Sequence, residues 1–508
     1  MRKEVLVIGG GVTGAGVVRD LALRGVDCAL LEMGDYCHGA SGGNHGLLHS
    51  GGRYAVQDPC SARECAAENE VLRRIAPFCI EDTHGLFVSL PEDDPGFGDI
   101  FSRACRDTGV EAQELTPREA LGTEPGLNES LSRCFQVRDG SLDPFALVQV
   151  NVDQARECGA TVLNHVRVIA LGVENGRLES VEYLDGRDGG KHEVLPEVVV
   201  NAAGAWAPEV ARMAGVELSM SLDQGSMLVL DGRACSTVVN RLRPPSNGDI
   251  AVPNHTSTVL GTTSRPVSSP EAASVTAEDA RLLIRELTAM LPALQGGRVV
   301  RAYCGVRSLS GGKGREASRS FSVLREDGAE NLLHVVGGKL TTYRLMAEKV
   351  SNQACALLGR GGSCRTHLEE LSPGPPSPGE GIARARLYRK YGGRATSIPL
   401  GDDRVVCTCE QVLRSEVEWV LRRQDILTLA DVMRRTRAGM GYCQGLDCAL
   451  SVLEMMVEGR GTAALPVLTE FLEERRRGAP PVPGEQSRQE LLAKHLLNGV
   501  YGMGGEGR

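Results

Sequence analysis

The sequence predicts an α/β fold built around a parallel sheet, because one pattern occurs at three places along the chain. At each place, a short apolar run typical of a buried strand ends in small residues, and a helical stretch follows. The apolar runs are residues 5–8, 198–201 and 332–336. Ligands in open α/β sheets bind at the carboxyl ends of the strands, so the three turns are expected to meet at one binding site.

The first turn carries the pattern G-x-G-x-x-G, formed by Gly9, Gly11 and Gly14. Gly9 allows a tight turn, Gly11 lets the backbone approach a pyrophosphate, and Gly14 lets the next helix pack on the sheet. The start of that helix offers N–H groups to the phosphates. A second apolar run ends in Glu32, whose carboxylate suits ribose hydroxyls. This unit predicts a bound dinucleotide rather than a ligand-free glycine turn, without distinguishing FAD from NAD.

Length, charge and hydropathy exclude several classes of protein. The 508 residues suggest about two to four domains. The net charge of −9 argues against nucleic acid or an anionic membrane as the main partner. No apolar run approaches the length of a transmembrane helix, and the N-terminal run leads into glycines rather than a cleavage site. We therefore expect a cytoplasmic protein that is at most peripherally attached to a membrane.

The patterning predicts two domains that alternate along residues 1–360, followed by a smaller one. The cofactor-binding domain is expected at about 1–80, 145–215 and 306–358, and the substrate domain at about 81–144 and 216–305. Glycine and proline indicate a linker at 361–400. Clustered cysteines mark a domain at 401–460, and a charged helical tail is predicted at 461–508.

A glycine-rich loop at residues 34–56 contains two histidines, His45 and His49, followed by Arg53 and Tyr54. Its composition does not suit a core element, so the loop is expected to lie close to a ligand. Histidine suits a general base because its pKa lies near neutrality. We expect His49 to face the reacting centre in preference to His45; the alternative is that a histidine only holds the loop.

A set of cations could bind an anionic substrate: Arg53, Arg307, Arg319 and Lys339. Arginine matches phosphate bidentately, and lysine adds a point charge. The alternative, solvated surface charge, is less favoured for Arg307 and Lys339, which lie at glycine-flanked turns after strands. Arg315 competes with Arg319 for this role, because the stretch between residues 308 and 318 is short and glycine-rich.

The last quarter of the chain has four regularly spaced cysteines: Cys407, Cys409, Cys443 and Cys448. Four thiolates suit either tetrahedral zinc or an iron–sulfur cluster. The C-x-C pair is uncommon in structural zinc sites, and nearby glycines would allow backbone N–H groups to approach sulfur. An electron carrier also suits a redox domain, so the pattern favours a [2Fe–2S] cluster, with zinc and no metal as alternatives.

Together these stretches resemble the catalytic A subunits of the anaerobic, FAD-dependent sn-glycerol-3-phosphate dehydrogenase family. The resemblance covers the chain from its N-terminus to about residue 475. Its most specific stretches are ASGGNHGLLHSGGRYAV, GGKLTTYRLMAE and RAGMGYCQGLDCA. It implies a Rossmann-like FAD-binding domain interleaved with an α+β substrate domain, as in D-amino-acid oxidase and glycerol-3-phosphate dehydrogenase. The C-terminal module resembles the bacterioferritin-associated-ferredoxin type of [2Fe–2S] domain.

The resemblance implies oxidation of glycerol 3-phosphate to dihydroxyacetone phosphate. It assigns FAD binding to Gly9, Gly11, Gly14, Glu32, Ser41, Asn44, Val168, Gly204 and Gly338. It assigns substrate binding to Arg53, Tyr54, Arg307, Arg319 and Lys339; we expect His49, Arg307 and Lys339 to act in catalysis. It also implies two partner chains: a B subunit, together with an iron–sulfur C subunit that tethers the complex to the inner face of the cell membrane and passes electrons to menaquinone.

Two other functions fit parts of the pattern. One is an FAD-dependent amine or 2-hydroxy-acid dehydrogenase with a ferredoxin-like domain; the number of cations favours phosphate over the carboxylate of such substrates. The other is a non-catalytic electron-transfer subunit, against which His49, Arg53 and Lys339 argue. The turns at Gly204 and Gly338, without a second G-x-G-x-x-G unit, predict FAD as the dinucleotide.

Overall fold

The protein is described from a computed structural model. The structure describes residues 1–309, 320–372, 374, 381–400, 404–460, 466–479 and 481. Its helices are α1 Val12–Leu23, α2 Pro59–Ile75, α3 Phe97–Thr108, α4 Pro117–Thr123, α5 Pro144–Glu157, α6 Ala207–Met213, α7 Ala277–Met290, α8 Tyr343–Leu357, α9 Gly381–Tyr391, α10 Arg414–Leu421, α11 Leu429–Thr436, α12 Ala449–Arg460 and α13 Pro466–Arg477.

Its strands are β1 Arg2–Ile8, β2 Cys28–Leu31, β3 Leu47–Leu48, β4 Ile80–Glu81, β5 Gly85–Ser89, β6 Ala112–Leu115, β7 Arg133–Val137, β8 Gly140–Leu142, β9 Thr161–Leu163, β10 Val166–Glu174, β11 Arg177–Asp185, β12 Lys191–Asn201, β13 Ser221–Leu230, β14 Val238–Arg241, β15 Ile250–Asn254, β16 Ser257–Gly261, β17 Arg265–Pro266, β18 Val299–Leu309, β19 Phe321–Leu324, β20 Leu332–Gly337, β21 Val405–Cys407 and β22 Val412–Leu413.

The first sheet is the predicted parallel sheet. Strands β9, β2, β1, β12 and β20 pair in parallel in that order, and β19 adds antiparallel to β20. Helices α1, α5 and α8 pack on one face, while α6 packs on the other together with β10 and β11. Because both faces are covered, Val5, Leu6 and Val7 are all fully buried, which explains why β1 is a continuous apolar run.

The glycine turn after β1 closes against the end of β12. Gly9 has φ of +110°, and a Cβ at this position would lie 2.6 Å from the carbonyl oxygen of Ala202. A Cβ on Gly14 would overlap the carbonyl oxygen of Gly9, so any side chain there would push α1 away from the turn. The ends of β1 and β12 therefore lie side by side, as the three-strand pattern predicts.

The second sheet is largely antiparallel and has nine strands, in the order β17, β13, β16, β15, β14, β5, β7 and β6, with β18 also paired to β13. Its core packs against α7, with Leu283 and Leu287 fully buried. β18 pairs with β13 from Val299 to Leu309, so the substrate sheet continues past the predicted boundary at residue 306. The division into domain pieces otherwise stays a prediction.

The C-terminal region forms a third core around the four predicted cysteine ligands, with residues from α10 to α13. α9 lies in the segment predicted as a linker, where Leu387 and Tyr391 join a small cluster that contacts Trp419. α13 buries Phe471 in the third core and pairs Glu474 with Arg301 of β18. Within the described ranges, no helix combines the length and apolarity needed to cross a bilayer.

Candidate active site

A cavity of about 1720 Å³ lies where the carboxyl ends of β1, β12 and β20 face the second sheet. Most of the predicted site residues line it: Gly9, Gly11, Glu32, Ser41, Asn44, His49, Arg53, Tyr54, Val168, Gly204, Arg307, Gly338 and Lys339. Gly14 instead lies beneath the turn, against Gly9. Arg319 and its competitor Arg315 are outside the described residues. Residues far apart in sequence are thus brought to one place.

The glycine turn and Glu32 form one end of the cavity. The Glu32 carboxylate is 7% exposed and accepts hydrogen bonds from the backbone N–H groups of Gly10, at 2.5 Å, and Gly34, at 2.8 Å. Burial raises the pKa of Glu32 although both backbone bonds favour the ionised form. Glu32 therefore stabilises the turns on either side of itself as well as lining the cavity.

Close backbone approach at this end fits a dinucleotide. The Ser41 hydroxyl accepts a hydrogen bond at 2.9 Å from the N–H of Val12, the first residue of α1. A Cβ on Gly11 would lie 3.0 Å from that hydroxyl oxygen, so a larger residue would crowd the helix start. The cradle of small residues beside a helix N-terminus is what a pyrophosphate requires.

Asn44 uses its side chain to hold the loop that carries the histidines. Its amide donates to the Ala40 and Ser41 carbonyls, and its side-chain oxygen accepts from the N–H of Gly46. Its own carbonyl accepts a hydrogen bond at 2.7 Å from the Tyr303 hydroxyl of β18. Asn44 thus ties the cofactor-side loop to the substrate sheet.

His49 is fixed through its backbone. Its N–H donates to the Thr341 hydroxyl at 3.1 Å, and its carbonyl accepts from the Asn69 amide at 3.1 Å. Its ring centroid lies 5.2 Å from that of Tyr54 and 6.0 Å from that of His45. These contacts bring the three rings together on one stretch of the cavity wall.

His45 also lines the cavity, and its Nδ1 is buried without a hydrogen-bond partner among the described residues. Burial, and then the charges of Arg307 and Arg53, lower the pKa of His45 to about 3. His45 is therefore neutral near pH 7. The less favoured of the two predicted histidines thus lines the same cavity as His49 and lies near Arg307 and Arg53.

Two of the arginines that line the cavity, Arg307 and Arg53, are each paired with a buried aspartate. Arg307 donates to Asp223 at 2.7 Å and to the Thr262 hydroxyl at 2.6 Å. Arg53 donates to Asp249 at 2.8 Å. Asp223 is 1% exposed and Asp249 is fully buried, so both guanidinium groups are held from behind by carboxylates that water does not reach.

Electrostatics keep the Asp249 carboxylate ionised. Burial alone would raise the pKa of Asp249, but the charges of Arg53 and Arg243 outweigh it and hold this pKa below its usual value. The sequence did not identify either aspartate, although a single acid beside an apolar strand is a visible signal. Such a signal indicates that the acid has a buried cationic partner, but it does not identify which arginine this partner is.

Lys339 lines the cavity next to Tyr54. Its Nζ donates to the Ser61 hydroxyl at 2.8 Å and lies 4.8 Å from the centroid of the Tyr54 ring. Ser61 belongs to α2, and its hydroxyl also donates to Asp58, the N-cap of that helix. The turn after β20 therefore brings an ammonium group to the start of α2, next to the aromatic residue of the histidine loop.

The four cysteines of the C-terminal region lie together as two pairs. Cys407 contacts Cys448, and Cys409 contacts Cys443. Among the described residues, no three of these thiols belong to a group whose ligand atoms all lie within 4.8 Å of one another. A tetrahedral zinc site would place all four sulfurs about 4 Å apart. Two pairs instead suit two irons with two thiolates each.

Backbone N–H groups approach these sulfurs as the glycine content predicts. The contact with Cys448 lowers the pKa of Cys407 to about 6 against the effect of burial, and the N–H groups of Gly439 and Glu410 lower it further. The N–H groups of Gly445 and Asp447 bond to Cys443, whose pKa burial raises to about 11. This donor set fits an iron–sulfur cluster.

Comparison with known proteins agrees with both sites. Residues 4–352 match the family described as "FAD dependent oxidoreductase", and residues 405–458 match "BFD-like [2Fe-2S] binding domain". The fold resembles the structure of glycerol-3-phosphate dehydrogenase from Bacillus halodurans complexed with FAD, with a TM-score of 0.70, 21% identity, and coverage of 95% of this chain and 96% of that one. The predicted fold class is confirmed, and the cofactors are FAD and a [2Fe–2S] cluster.

Two relatives match over almost the whole chain. The A subunit of anaerobic glycerol-3-phosphate dehydrogenase from Escherichia coli K12 is 38% identical, over 99% of this chain and 97% of that protein. The A1 subunit of the same enzyme from Haloferax volcanii is 37% identical, over 98% of this chain and 90% of that protein. The chain is therefore an FAD-dependent oxidoreductase that belongs to the family of anaerobic glycerol-3-phosphate dehydrogenase A subunits.

Proposed function

We propose that the protein oxidises sn-glycerol 3-phosphate to dihydroxyacetone phosphate. The observation that carries this proposal is the convergence of Arg53, Arg307, Lys339 and His49 on the cavity that also contains the glycine turn. FAD supplies the acceptor for the hydride that leaves C2 of the substrate. The names of the relatives, which share the whole length of the chain, support the same substrate.

The phosphate is bound by the arginines. Each guanidinium offers parallel N–H donors that match two phosphate oxygens. Asp223 and Asp249 orient the two groups, since each accepts a charge-assisted hydrogen bond from behind. Lys339 and Tyr54 complete the substrate pocket. Arg319 is proposed as a further phosphate ligand, with Arg315 as the alternative, on the resemblance alone.

His49 takes the proton of the C2 hydroxyl, assisted by Lys339. The backbone of His49 is held by hydrogen bonds on both sides, so the point from which its side chain starts does not depend on the substrate. A positioned general base contributes roughly 10²- to 10⁴-fold to a rate. The cationic group of Lys339 stabilises the negative charge that develops on the C2 oxygen as its proton leaves.

FAD is held along the ends of three strands. Gly9, Gly11 and Gly204 receive the pyrophosphate side, Glu32 the ribose, and Gly338 the end nearer the substrate. Ser41, Asn44 and Val168 complete the binding site, and Gly14 keeps α1 in place beneath it. The glycine turn before α8 would place N–H groups near the reduced flavin.

Cys407, Cys409, Cys443 and Cys448 would hold the cluster, which would supply a route by which electrons leave the chain. The acceptors are proposed to be a B subunit together with an iron–sulfur C subunit, which attaches the complex to the inner face of the cell membrane and delivers electrons to menaquinone. The subunit names of the relatives support a complex of several chains.

Replacing Arg307 with alanine tests the phosphate assignment. Losing charge-assisted hydrogen bonds of about 1.5–3 kcal/mol is expected to raise KM for glycerol 3-phosphate by about 10- to 150-fold. Arg301→Ala is the matched control, because Arg301 lies on the same strand but pairs with Glu474 and does not line the cavity. An unchanged KM in Arg307→Ala would refute the assignment.

A further inference from the structure

One arginine connects the C-terminal region to both large sheets. It contacts the cysteine loop, which is the segment 407–410 that carries Cys407 and Cys409. Arg437 follows α11 in the left-handed conformation, with φ of +69°, and is 6% exposed. Its guanidinium donates to Glu410 at 2.9 Å, to Asp143 at 2.9 Å and to the side-chain oxygen of Asn254 at 3.1 Å. No other residue type offers enough donors in one plane for these three partners.

Each partner of Arg437 belongs to a different part of the molecule. Glu410 is the residue after Cys409, and its carboxylate also accepts from the Thr256 hydroxyl at 2.6 Å. Asp143 is the N-cap of α5 in the cofactor-binding part, where it accepts from two backbone N–H groups of that helix. Its position is therefore fixed independently of Arg437.

The third partner reaches the loop with the two histidines. Asn254 ends β15, and its amide nitrogen lies 3.4 Å from where a Cβ would stand on Gly46. Gly46 follows His45 and precedes His49 by three residues, with φ of +69°. Hydrogen bonds thus run from Glu410, next to the cluster ligand Cys409, through Arg437 to Asn254, whose amide lies close to the loop beside the flavin site.

The contacts of Arg437 with Glu410, Asp143 and Asn254 form a junction that contains buried charges, so breaking it costs free energy. Burial alone would raise the pKa of Asp143, and the charge of Arg437 outweighs it, so the carboxylate stays ionised. A second buried pair joins the same two regions, since Arg435 donates twice to Asp35 at 2.9 Å with side chains 3% and 1% exposed. Separating the regions would leave charges buried or exposed without partners.

We propose that Arg437 is a positioning residue that holds the cysteine loop at one fixed distance from the flavin site. Electrons would then pass between two fixed centres, and the cluster-bearing region would stay docked during turnover rather than move as a carrier. The inference rests on the proposed function in one respect, namely that electrons from the flavin go to the cluster of the same chain.

The test compares Arg437→Gln with wild-type holoprotein in anaerobic stopped-flow experiments. Glycerol 3-phosphate is added, and flavin bleaching and cluster reduction are followed separately. Arg437→Gln should bleach its flavin at the wild-type rate but reduce its cluster several-fold more slowly, because the rate of electron transfer falls steeply as the distance between two centres grows. Arg414→Gln is the control, since Arg414 lies in the same region but pairs with Glu418 and Glu458 near the surface.

A second variant separates positioning from cluster loss. Asp143→Asn weakens the junction from the cofactor-binding side and is expected to retain full iron and sulfide content with an unchanged cluster EPR spectrum. It should nevertheless slow cluster reduction, as Arg437→Gln does. Wild-type cluster reduction in Asp143→Asn would overturn the proposal, and so would slow reduction in the Arg414→Gln control.

An error in the proposed function would give a different result from an error in the role of Arg437. If glycerol 3-phosphate left the wild-type flavin oxidised, the proposed function would be wrong, and the flavin would instead be photoreduced by a light pulse in the presence of a sacrificial electron donor such as EDTA. The same comparison of cluster reduction in the three variants would then decide the role of Arg437. Equal rates in all of them would contradict it.

Discussion

At the scale of single residues, the cavity is organised by two buried carboxylates that do not themselves line it. Asp223 and Asp249 lie behind Arg307 and Arg53, and each is almost completely buried. A buried ion pair adds little net stability, but removing one partner leaves an uncompensated charge in a region of low dielectric. Each arginine is therefore held in one orientation, because moving it away would leave the buried aspartate without its partner.

Asp249→Asn is expected to lower the free energy of unfolding by about 3 kcal/mol, because two arginines lose their shared buried partner. KM for glycerol 3-phosphate should rise in the same variant as Arg53 becomes mobile. Urea denaturation of the holoprotein measures the first effect. Glu92→Gln is the control, since Glu92 is an exposed partner of Arg241, and its change should stay below about 1 kcal/mol. If Asp249→Asn and Glu92→Gln lowered the free energy of unfolding equally, burial would not explain the effect at Asp249.

The sequence predicted the residues that line the cavity better than those that support them. Gly9, Gly11 and Glu32 are recognisable because their spacing along one strand–turn–helix unit carries the information. Asp223 lies 84 residues from Arg307 and Asp249 lies 196 residues from Arg53, and pairing across such a tertiary contact leaves no local pattern. The same holds for Arg437, whose three partners come from three separate segments.

At the scale of elements, α11 supplies several of the ion pairs that dock the C-terminal region. Its N-terminus is closed by a capping box, in which the Thr428 hydroxyl accepts from the N–H of Asp431 and the Asp431 carboxylate accepts from the N–H of Thr428. Its last turn supplies Arg434 and Arg435, which both pair with Asp35. A short helix of eight residues depends on such caps and contacts for its stability.

Thr428→Ala should destabilise α11 by about 1 kcal/mol, the usual effect of removing an N-cap hydroxyl. Hydrogen exchange should then quicken in α11 and in residues 405–413, while the flavin site stays protected. Thr116→Ala removes the same type of cap from α4 and is the matched control, with its effect confined to that helix. Unchanged exchange in α11 would refute the dependence on this cap.

The docking of α11 should also respond to pH through His165, whose ring lies 2.9 Å from the Asp431 carboxylate. Burial would lower the pKa of His165, but the hydrogen bond and the charge of Asp431 outweigh it and raise this pKa. The other charged or titratable groups that interact with His165 are Glu32, Asp35, His38, Arg187 and Glu470.

A histidine with a raised pKa stabilises the folded state fully below its unfolded pKa of about 6.5, and this contribution is lost as pH rises through the higher folded value. Tm of the wild-type protein should therefore fall as pH rises above about 6.5. His165→Gln should show a smaller fall over the same range. Parallel curves for the two proteins would exclude His165 as the source.

Elements with continuous apolar patterns were predictable, and those placed by long-range pairing were not. β1, β12 and β20 stand out because they are buried on both faces. The order of the second sheet depends on pairings between segments far apart in sequence, such as β14 with β5. α9 was missed because glycine and proline before it indicated only a linker.

At the scale of the whole molecule, one chain combines a substrate cavity with a cluster-binding region fixed against it. The cavity lies between the two sheets, and buried ion pairs attach the cysteine-bearing region to the cofactor-binding part. α13 adds a contact to β18 of the substrate sheet through Glu474 and Arg301. The arrangement suits oxidation at one site and electron exit at another, without a separate carrier between them.

The most direct test is anaerobic addition of glycerol 3-phosphate to the purified holoprotein, with the visible flavin band and the cluster EPR signal followed together. The prediction is that the flavin band bleaches and the reduced-cluster signal appears, whereas Cys409→Ser bleaches without that signal. Bleaching only with an amine or a 2-hydroxy acid, or no bleaching with any donor, would contradict the proposed function.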